Sequence, residues 1–543
     1  MTGAQAIVKA LEMEGVELVF GYPGAAICPV YDALRGSRVR HVLVRQEQNA
    51  GHAASGYARI SGRPGVCIAT SGPGATNLMT ALAGAYMDSI PLVAITGQVA
   101  TSLLGRDVFQ EVDTTGAAEP FVKHSYLAAR ASDLPRILKE AFCIAATGRP
   151  GPVLIDVPVD VQEEELDFCY PDRVDIPGYR PTVKGHAGQI RRACQLLAES
   201  ARPLICAGGG VLTAGAGEVL RAFAGEAGIP IVSTMMGIGA VAPSHPNYMG
   251  MIGSHGVRSA NMALRRADLL LLVGARVGDR AIDRQSYEGG GVGIIHIDID
   301  PAEIGKNVGT DVPIVGDAKT VLEQLQEAYA PVPAHRSWLM LMQQYRDRGE
   351  EPSAAGAGGI APQRFFAGLW KLLPEDTILA ADVGQNQIWA AAGYRGERGA
   401  FLTSGGLGVM GYSLPAAIGA KLAAPGRVVC ATCGDGSFPM MMMELGTLMQ
   451  EGLDIKLVLF QNGLLGMIRE LQDRHFGGRH IAIDLSGGPD FVALAAAYGI
   501  PGLCVETQAE AEEGIRRMME TPGPFLLVCK VSPQEDSHGQ AVL

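Results

Sequence analysis

The stretch CGDGSFPMMMMELGTLMQEGLDIKLVLFQNG, residues 433–463, decides how this region folds. Before it, RVVCATC (427–433) is a short apolar run that ends in a Gly-Asp-Gly turn. Within it, MMMMELGTLMQEG (440–452) has the composition of a helix closed by Gly452, and IKLVLF (455–460) is a second apolar run. Strand, helix and strand in so short a span predict two parallel neighbours in one sheet. Asp435 and Asn462, 27 positions apart, then stand at the carboxyl ends of adjacent strands. Open α/β sheets bind ligands outside those ends, and a helix N-terminus beside a glycine-rich turn presents N–H groups to phosphate. A carboxylate, an amide oxygen and a backbone carbonyl suit Mg²⁺, which completes its octahedron with diphosphate and water. No G-x-x-x-x-G-K-[ST] loop accompanies the turn. Taken alone, Gly434-Asp435-Gly436 and Asn462-Gly463 are also ordinary turn sequences.

The rest of the chain sets the bounds. Its 543 residues exceed one core, since domains average roughly 150 residues. It is 48% hydrophobic and 18% charged, with no apolar run approaching the roughly 18 residues of a membrane span. The formal charge of −12 comes without a basic block, which disfavours nucleic acid and favours small-molecule partners. MTGAQAIVKALEMEGVELVFGYPG runs directly into an amphipathic helix and a strand, without a targeting presequence, so a cytoplasmic enzyme is expected. The ten cysteines are scattered, and the single close pair, Cys430 and Cys433, reads as buried strand thiols.

Residues 1–165 alternate strand-like runs (VELVF, HVLVR, GVCIAT, PLVAITG, GPVLIDVP) with amphipathic helical stretches, which predicts a doubly wound parallel α/β domain. A polar, Pro-containing stretch follows, and a second α/β block spans 186–330. APVPAHRSWLMLMQQYRDRGEEPSAAGAGG reads as a second linker, leading to a third block over 360–535. In the middle block, PLICAGGGVLTAGAG fails the dinucleotide fingerprint because Thr213 stands where the last Gly belongs.

The pairing of the GDG turn with Asn462 resembles the diphosphate–magnesium motif of thiamine-diphosphate enzymes, a GDG followed at a distance by Asn-Asn. Gln461 stands at the first Asn, and the second is kept. Such an enzyme also needs a carboxylic acid against the cofactor's pyrimidine ring. RQEQNAGHAASGYAR supplies Glu47, which by itself would read as a helix-entry glutamate favoured by the dipole. Further stretches carry the resemblance: FGYPGAAICPVYDAL, SGPGATNLMTALAGAYMDSIPLVAITGQV, DVFQEVD, TGRPGPVLIDVPVD, GARVGDR, HIDIDPAEIG, VPIVGDA, GQNQIWAA and TSGGLGVMGYSLPAAIGA. In collinear order over nearly the whole chain they are similar to the large catalytic subunit of the acetohydroxyacid (acetolactate) synthase family.

The resemblance implies three domains, pyrimidine-binding, central FAD-type and diphosphate-binding. It implies decarboxylation of pyruvate and transfer of the two-carbon unit to a second pyruvate or to 2-oxobutyrate, in branched-chain amino-acid biosynthesis. Glu47 matches the pyrimidine-activating acid, which in the family serves a cofactor held by the other subunit, so a homodimer or dimer of dimers is expected. Phe109 and Gln110 match the pair lining the reacting end, and Arg280 the group that meets the second substrate's carboxylate. Gly384, Gln385 and Asn386 match the diphosphate-contacting turn, with Asn386 where His is common. Met410 matches the apolar prop beneath the bent cofactor, and Gly434, Gly436 and Ser437 flank the metal ligands Asp435, Asn462 and the Leu464 carbonyl. Arg149, Gly209, Thr234, Met235, His255, Gly256, Gly274, Arg276, Asp298, Asp317 and Ala318 match the site of an FAD that does no net redox chemistry; Asp279 is also kept. Val159, Ser254 and Leu471 depart from the family's Lys, Met and Trp. A flavin-free catabolic acetolactate synthase or a related thiamine-diphosphate enzyme is the alternative, and a non-catalytic sensor would have lost Glu47, Asp435 or Asn462. A small regulatory subunit is a further expected partner.

Overall fold

The computed structural model describes residues 1–278, 280–281, 291–348 and 359–537. Three six-stranded, all-parallel sheets follow one another along the chain. In the first, the strands run in the order Arg40–Leu43, Leu18–Gly21, Gly65–Ala69, Leu92–Gln98, Pro152–Pro158, His124–Leu127. In the second the order is Val312–Val315, Gly293–Asp298, Leu269–Val273, Pro203–Ala207, Ile231–Ser233, Tyr248–Met251. In the third it is Ala400–Leu402, Ile378–Ala381, Val429–Gly434, Lys456–Gln461, Phe525–Lys530, Gly502–Val505. The central strands are buried along their length, as parallel strands covered by helices on both faces must be.

The first and third domains share one core. Helices Glu47–Ser61 and Ser413–Ala423 cross between them, and the cluster that includes Leu78, Leu82, Leu414 and Leu459 is continuous across the seam. Small residues make the crossing close: a Cβ on Gly56 would stand 2.0 Å from the Ala416 carbonyl oxygen, and one on Gly419 1.8 Å from that of Ala53. Arg59 spans the seam, its guanidinium donating to the carbonyls of Thr403 (2.9 Å) and Phe401 (3.1 Å).

Two expectations are corrected. The stretch 330–359 contains a helix, Pro333–Asp347, and is not linker throughout. His335, Trp338 and Met342 lie on one helical stripe and are buried against the central domain, where Trp338 Nε1 donates to the Pro203 carbonyl at 2.9 Å. The flanking Ala, Gly, Pro and charged residues obscure that stripe in the sequence. The run 440–452 is likewise not one helix: two 3₁₀ turns, Phe438–Met440 and Met442–Glu444, precede a short helix, Leu445–Gln450. Pro439 enters the first turn, and the buried Glu444 side chain is drawn across the seam to the first domain.

Candidate active site

Strands Val429–Gly434 and Lys456–Gln461 are parallel neighbours, with Gly434 opposite Phe460. Asp435 and Asn462 therefore emerge together at the sheet's carboxyl edge. Asp435 Oδ2 accepts the Gly463 N–H at 2.7 Å, and Leu464 N–H donates to Asn462 Oδ1 at 3.1 Å. Burial raises the Asp435 pKa, opposed by backbone N–H groups of Gly463, Asn462 and Gly436. A buried carboxylate stabilised by amides is left short of positive charge, and with neutral oxygens alongside it fits a hard divalent cation. Two helices, Gln385–Gly393 and Gly466–Phe476, begin at the same place and bring the N–H groups that a diphosphate needs. The 3₁₀ turn after Ser437 replaces the helix N-terminus expected there.

Gly384, Gln385, Asn386, Met410, Gly434, Asp435, Gly436, Ser437, Asn462 and Leu464 line one cavity of about 230 Å³, together with Arg280 from the central domain. Gln385 is the hub of its polar wall. Its Oε1 accepts from Asn462 Nδ2 at 3.0 Å, while its Nε2 donates to Glu470 and to the Glu535 carbonyl. Ser537 completes this link to the C-terminal segment, donating from N and Oγ to Glu470 at 2.7 and 2.6 Å.

One organising residue escaped the sequence reading. Asp382 is fully buried at the end of strand Ile378–Ala381 and accepts N–H bonds from Val383 and Gly411 (2.9 Å each) and Ser413 (2.8 Å). It thereby shapes the turn that carries Met410. Its sequence signal, a lone Asp after an apolar strand in LAADVGQN, does not distinguish it from a surface turn residue.

On the first domain, Glu47 opens helix Glu47–Ser61 and is 9% exposed, with Asn77 Nδ2 donating to it at 2.9 Å. A Cβ on Gly74 would stand 3.2 Å from Glu47 Oε1, so the glycine leaves the carboxylate room. Burial, then the charge of Glu47, holds the Tyr31 phenol well above its usual range. Phe109 is 87% exposed, and Gln110 adopts φ +59°, which non-glycine residues seldom do. Neither these two nor Glu47 is among the residues lining the 230 Å³ cavity of the same chain.

A larger cavity, about 1020 Å³, lies among the three domains. Arg149, Gly209, Thr234, Met235, His255, Gly274, Arg276, Arg280, Asp298, Asp317 and Ala318 line it, as do Gln387 and Gly405 of the third domain. Its size suits an elongated cofactor. Arg149 is oriented by Asp300 (3.2 Å), Glu303 (2.8 Å) and the Ser89 hydroxyl (2.9 Å), and burial pushes the Asp298 carboxyl up to about 6. Gly256, expected in this wall, instead packs on its own turn, where a Cβ would meet the Ile252 carbonyl carbon at 2.4 Å. Asp279 lies outside the described residues. Ser254 sits against Arg280, whose carbonyl accepts its N–H at 2.9 Å. Leu471 is half-exposed on the helix that begins at Gly466, and Val159 begins the short helix Val159–Glu163 away from both cavities. Cys430 and Cys433 face opposite sides of their strand, in separate cores, and burial raises both thiols, Cys430 to about 12.

Comparison with known proteins accords with this geometry. Residues 1–117, 190–325 and 382–529 match, in turn, the N-terminal TPP binding domain, the central domain and the C-terminal TPP binding domain of thiamine pyrophosphate enzymes. The chain is 48% identical to the acetolactate synthase large subunit of Corynebacterium glutamicum, over 96% of this chain and 85% of that one. It is 45% identical to a probable acetolactate synthase large subunit of Methanocaldococcus jannaschii, over 98% and 93% of the two chains. To the Escherichia coli acetolactate synthase isozyme 3 large subunit it is 43% identical, over 96% and 92%. With its three parallel-sheet domains and its acid and amide on adjacent strand ends, the chain belongs to the acetolactate synthase large-subunit family of thiamine pyrophosphate enzymes.

Proposed function

We propose that the chain is the catalytic subunit of a biosynthetic acetolactate synthase. Pyruvate loses CO₂ and its two remaining carbons are joined to a second pyruvate, giving 2-acetolactate, or to 2-oxobutyrate, giving 2-aceto-2-hydroxybutyrate. The observation that carries this reading is the 230 Å³ cavity, which gathers Asp435, Asn462, Leu464, the Gly384 turn and Met410 from separate segments.

When bound, thiamine diphosphate supplies the electron sink that decarboxylation requires. Asp435, Asn462 and the Leu464 carbonyl would hold Mg²⁺, and Gly384, Gln385, Asn386, Gly436 and Ser437 the diphosphate. Met410 would give the cofactor an apolar support in that cavity. Glu47 would supply the carboxylic acid that exchanges a proton with the cofactor's pyrimidine ring. Because Glu47 and the exposed Phe109 lie outside the cavity of their own chain, the acid is read as the partner subunit's Glu47, in a homodimer or dimer of dimers. Phe109 and Gln110 would close the reacting end, and Arg280 would bind the acceptor's carboxylate through its planar guanidinium.

FAD is read into the 1020 Å³ cavity on the strength of its lining, in a role without net redox chemistry. Relatives named as large subunits support a small regulatory partner. Among the described residues no helix is long and apolar enough to cross a membrane. Ten free cysteines suit a reducing compartment, and we assign the enzyme to the cytoplasm. The test is incubation of purified protein with pyruvate, Mg²⁺ and thiamine diphosphate, with and without FAD. Acetolactate formed only with thiamine diphosphate and Mg²⁺ is the expected result; none under any condition would refute the reading.

A further inference from the structure

Glu444 belongs to the third domain, yet its side chain works for the first. It is fully buried. Oε1 accepts the Arg45 backbone N–H at 2.9 Å and Asn49 Nδ2 at 2.9 Å, so one oxygen fastens the chain two residues before and two residues after Glu47. Oε2 accepts from Thr447 Oγ1 at 2.6 Å, which fixes the carboxylate plane. The following residues reinforce the grip: Gln450 accepts from the Arg45 guanidinium at 2.8 Å, and Glu451 pairs with Arg40. The N-cap of helix Glu47–Ser61, Gln46, makes no side-chain capping hydrogen bond. Besides Asn77, which donates to the Glu47 carboxylate itself, Glu444 therefore supplies the side-chain bonds that fix the chain on either side of Glu47. The connection ending at Glu444 begins at the turn that carries Asp435.

We propose that Glu444 is a positioning residue for the reaction: it sets where the Glu47 helix begins and so where the Glu47 carboxylate stands, making the domain that carries the metal turn also aim the activating acid. The inference rests on the reading of Glu47 as that acid. A misplacement of about 1 Å can cost on the order of 100-fold in rate. Glu444→Ala is therefore expected to lower kcat roughly 10- to 100-fold, with KM for pyruvate changed less than about threefold.

Three further measurements separate positioning from general damage. Calorimetric affinity for thiamine diphosphate in Mg²⁺ stays at the wild-type value, because the metal turn is intact. Hydrogen–deuterium exchange of the protein without cofactor shows faster exchange at amides 45–50. The double variant Glu444→Ala/Glu47→Gln is no slower than Glu47→Gln alone, since a misplaced acid and an absent one are the same loss. Glu444→Gln keeps an oxygen for both donors and restores most of kcat and of the amide protection. Should Glu444→Ala fail to fold, Asn49→Ala removes one arm of the bracket and is read by the same quantities. Full kcat in Glu444→Ala, a loss of kcat with amides 45–50 still protected, or losses that multiply in the double variant would each overturn the proposal. Wild-type turnover in Glu47→Gln would instead overturn the reading of Glu47, while the exchange comparison still decides whether Glu444 holds the segment.

Discussion

Replacing Asp435 by Ala deletes the one charged oxygen among the three proposed metal ligands and leaves the strand beneath it untouched. The carboxylate is 7% exposed and is held through the Gly463 N–H at 2.7 Å. A charge-assisted interaction of this kind contributes about 1.5–3 kcal/mol, and the direct bond to a divalent ion makes that a lower bound. Affinity for thiamine diphosphate in Mg²⁺ should thus fall by at least about 10- to 150-fold. Asn462→Ala removes a neutral oxygen and the 3.0 Å bond to Gln385, for which a loss of about 0.5–1.5 kcal/mol, or roughly 2- to 12-fold, is expected. The assay is isothermal titration of each protein with thiamine diphosphate at fixed Mg²⁺, repeated as a Mg²⁺ titration at fixed cofactor. The difference between the two variants should persist in both titrations, and thermal unfolding without cofactor should be nearly unchanged for each. Wild-type affinity in Asp435→Ala, or a larger loss in Asn462→Ala, would refute the assignment of the metal site.

Glu47→Gln should preserve cofactor binding by calorimetry while lowering turnover roughly 100- to 10,000-fold, because the amide cannot exchange the required proton. Leu471 stands where the resemblance implies a Trp in the wall that meets the acceptor, so Leu471→Trp should raise the preference for 2-oxobutyrate over pyruvate in a competition assay, within the about 1–3 kcal/mol that one methylene can contribute; an unchanged product ratio would refute that placement. Asp156 accepts from Thr96 Oγ1 (2.6 Å) and Gln98 Nε2 (2.9 Å), and burial pushes its carboxyl up to about 7. The folded chain then keeps a proton that the unfolded chain has lost between about pH 4 and 7, so this group's contribution to stability falls as pH rises through that window. Asp156→Asn should flatten the decline in Tm between about pH 5 and 7.5, measured by differential scanning calorimetry.

The sequence by itself determined the parts that depend on neighbours along the chain. Alternating apolar runs and amphipathic helices predict parallel sheets because each βαβ unit closes locally. For the same reason the spacing of Asp435 and Asn462 already places them on adjacent strand ends. The resemblance assigned matching residues to two cofactors, and most of those candidates line the two cavities. Where local pattern was masked or overridden, the reading failed. The buried stripe of Pro333–Asp347 hides among linker-like residues, and the methionine run breaks into 3₁₀ turns because Glu444 is drawn to the first domain. Only the tertiary structure decided the polar partnerships: Glu444 with Arg45 and Asn49, Asp382 with Gly411 and Ser413, Gln385 with Asn462 and the C-terminal segment. A buried carboxylate must find donors, but which donors it finds depends on what the packed domains bury beside it, and distance along the chain carries no trace of that choice.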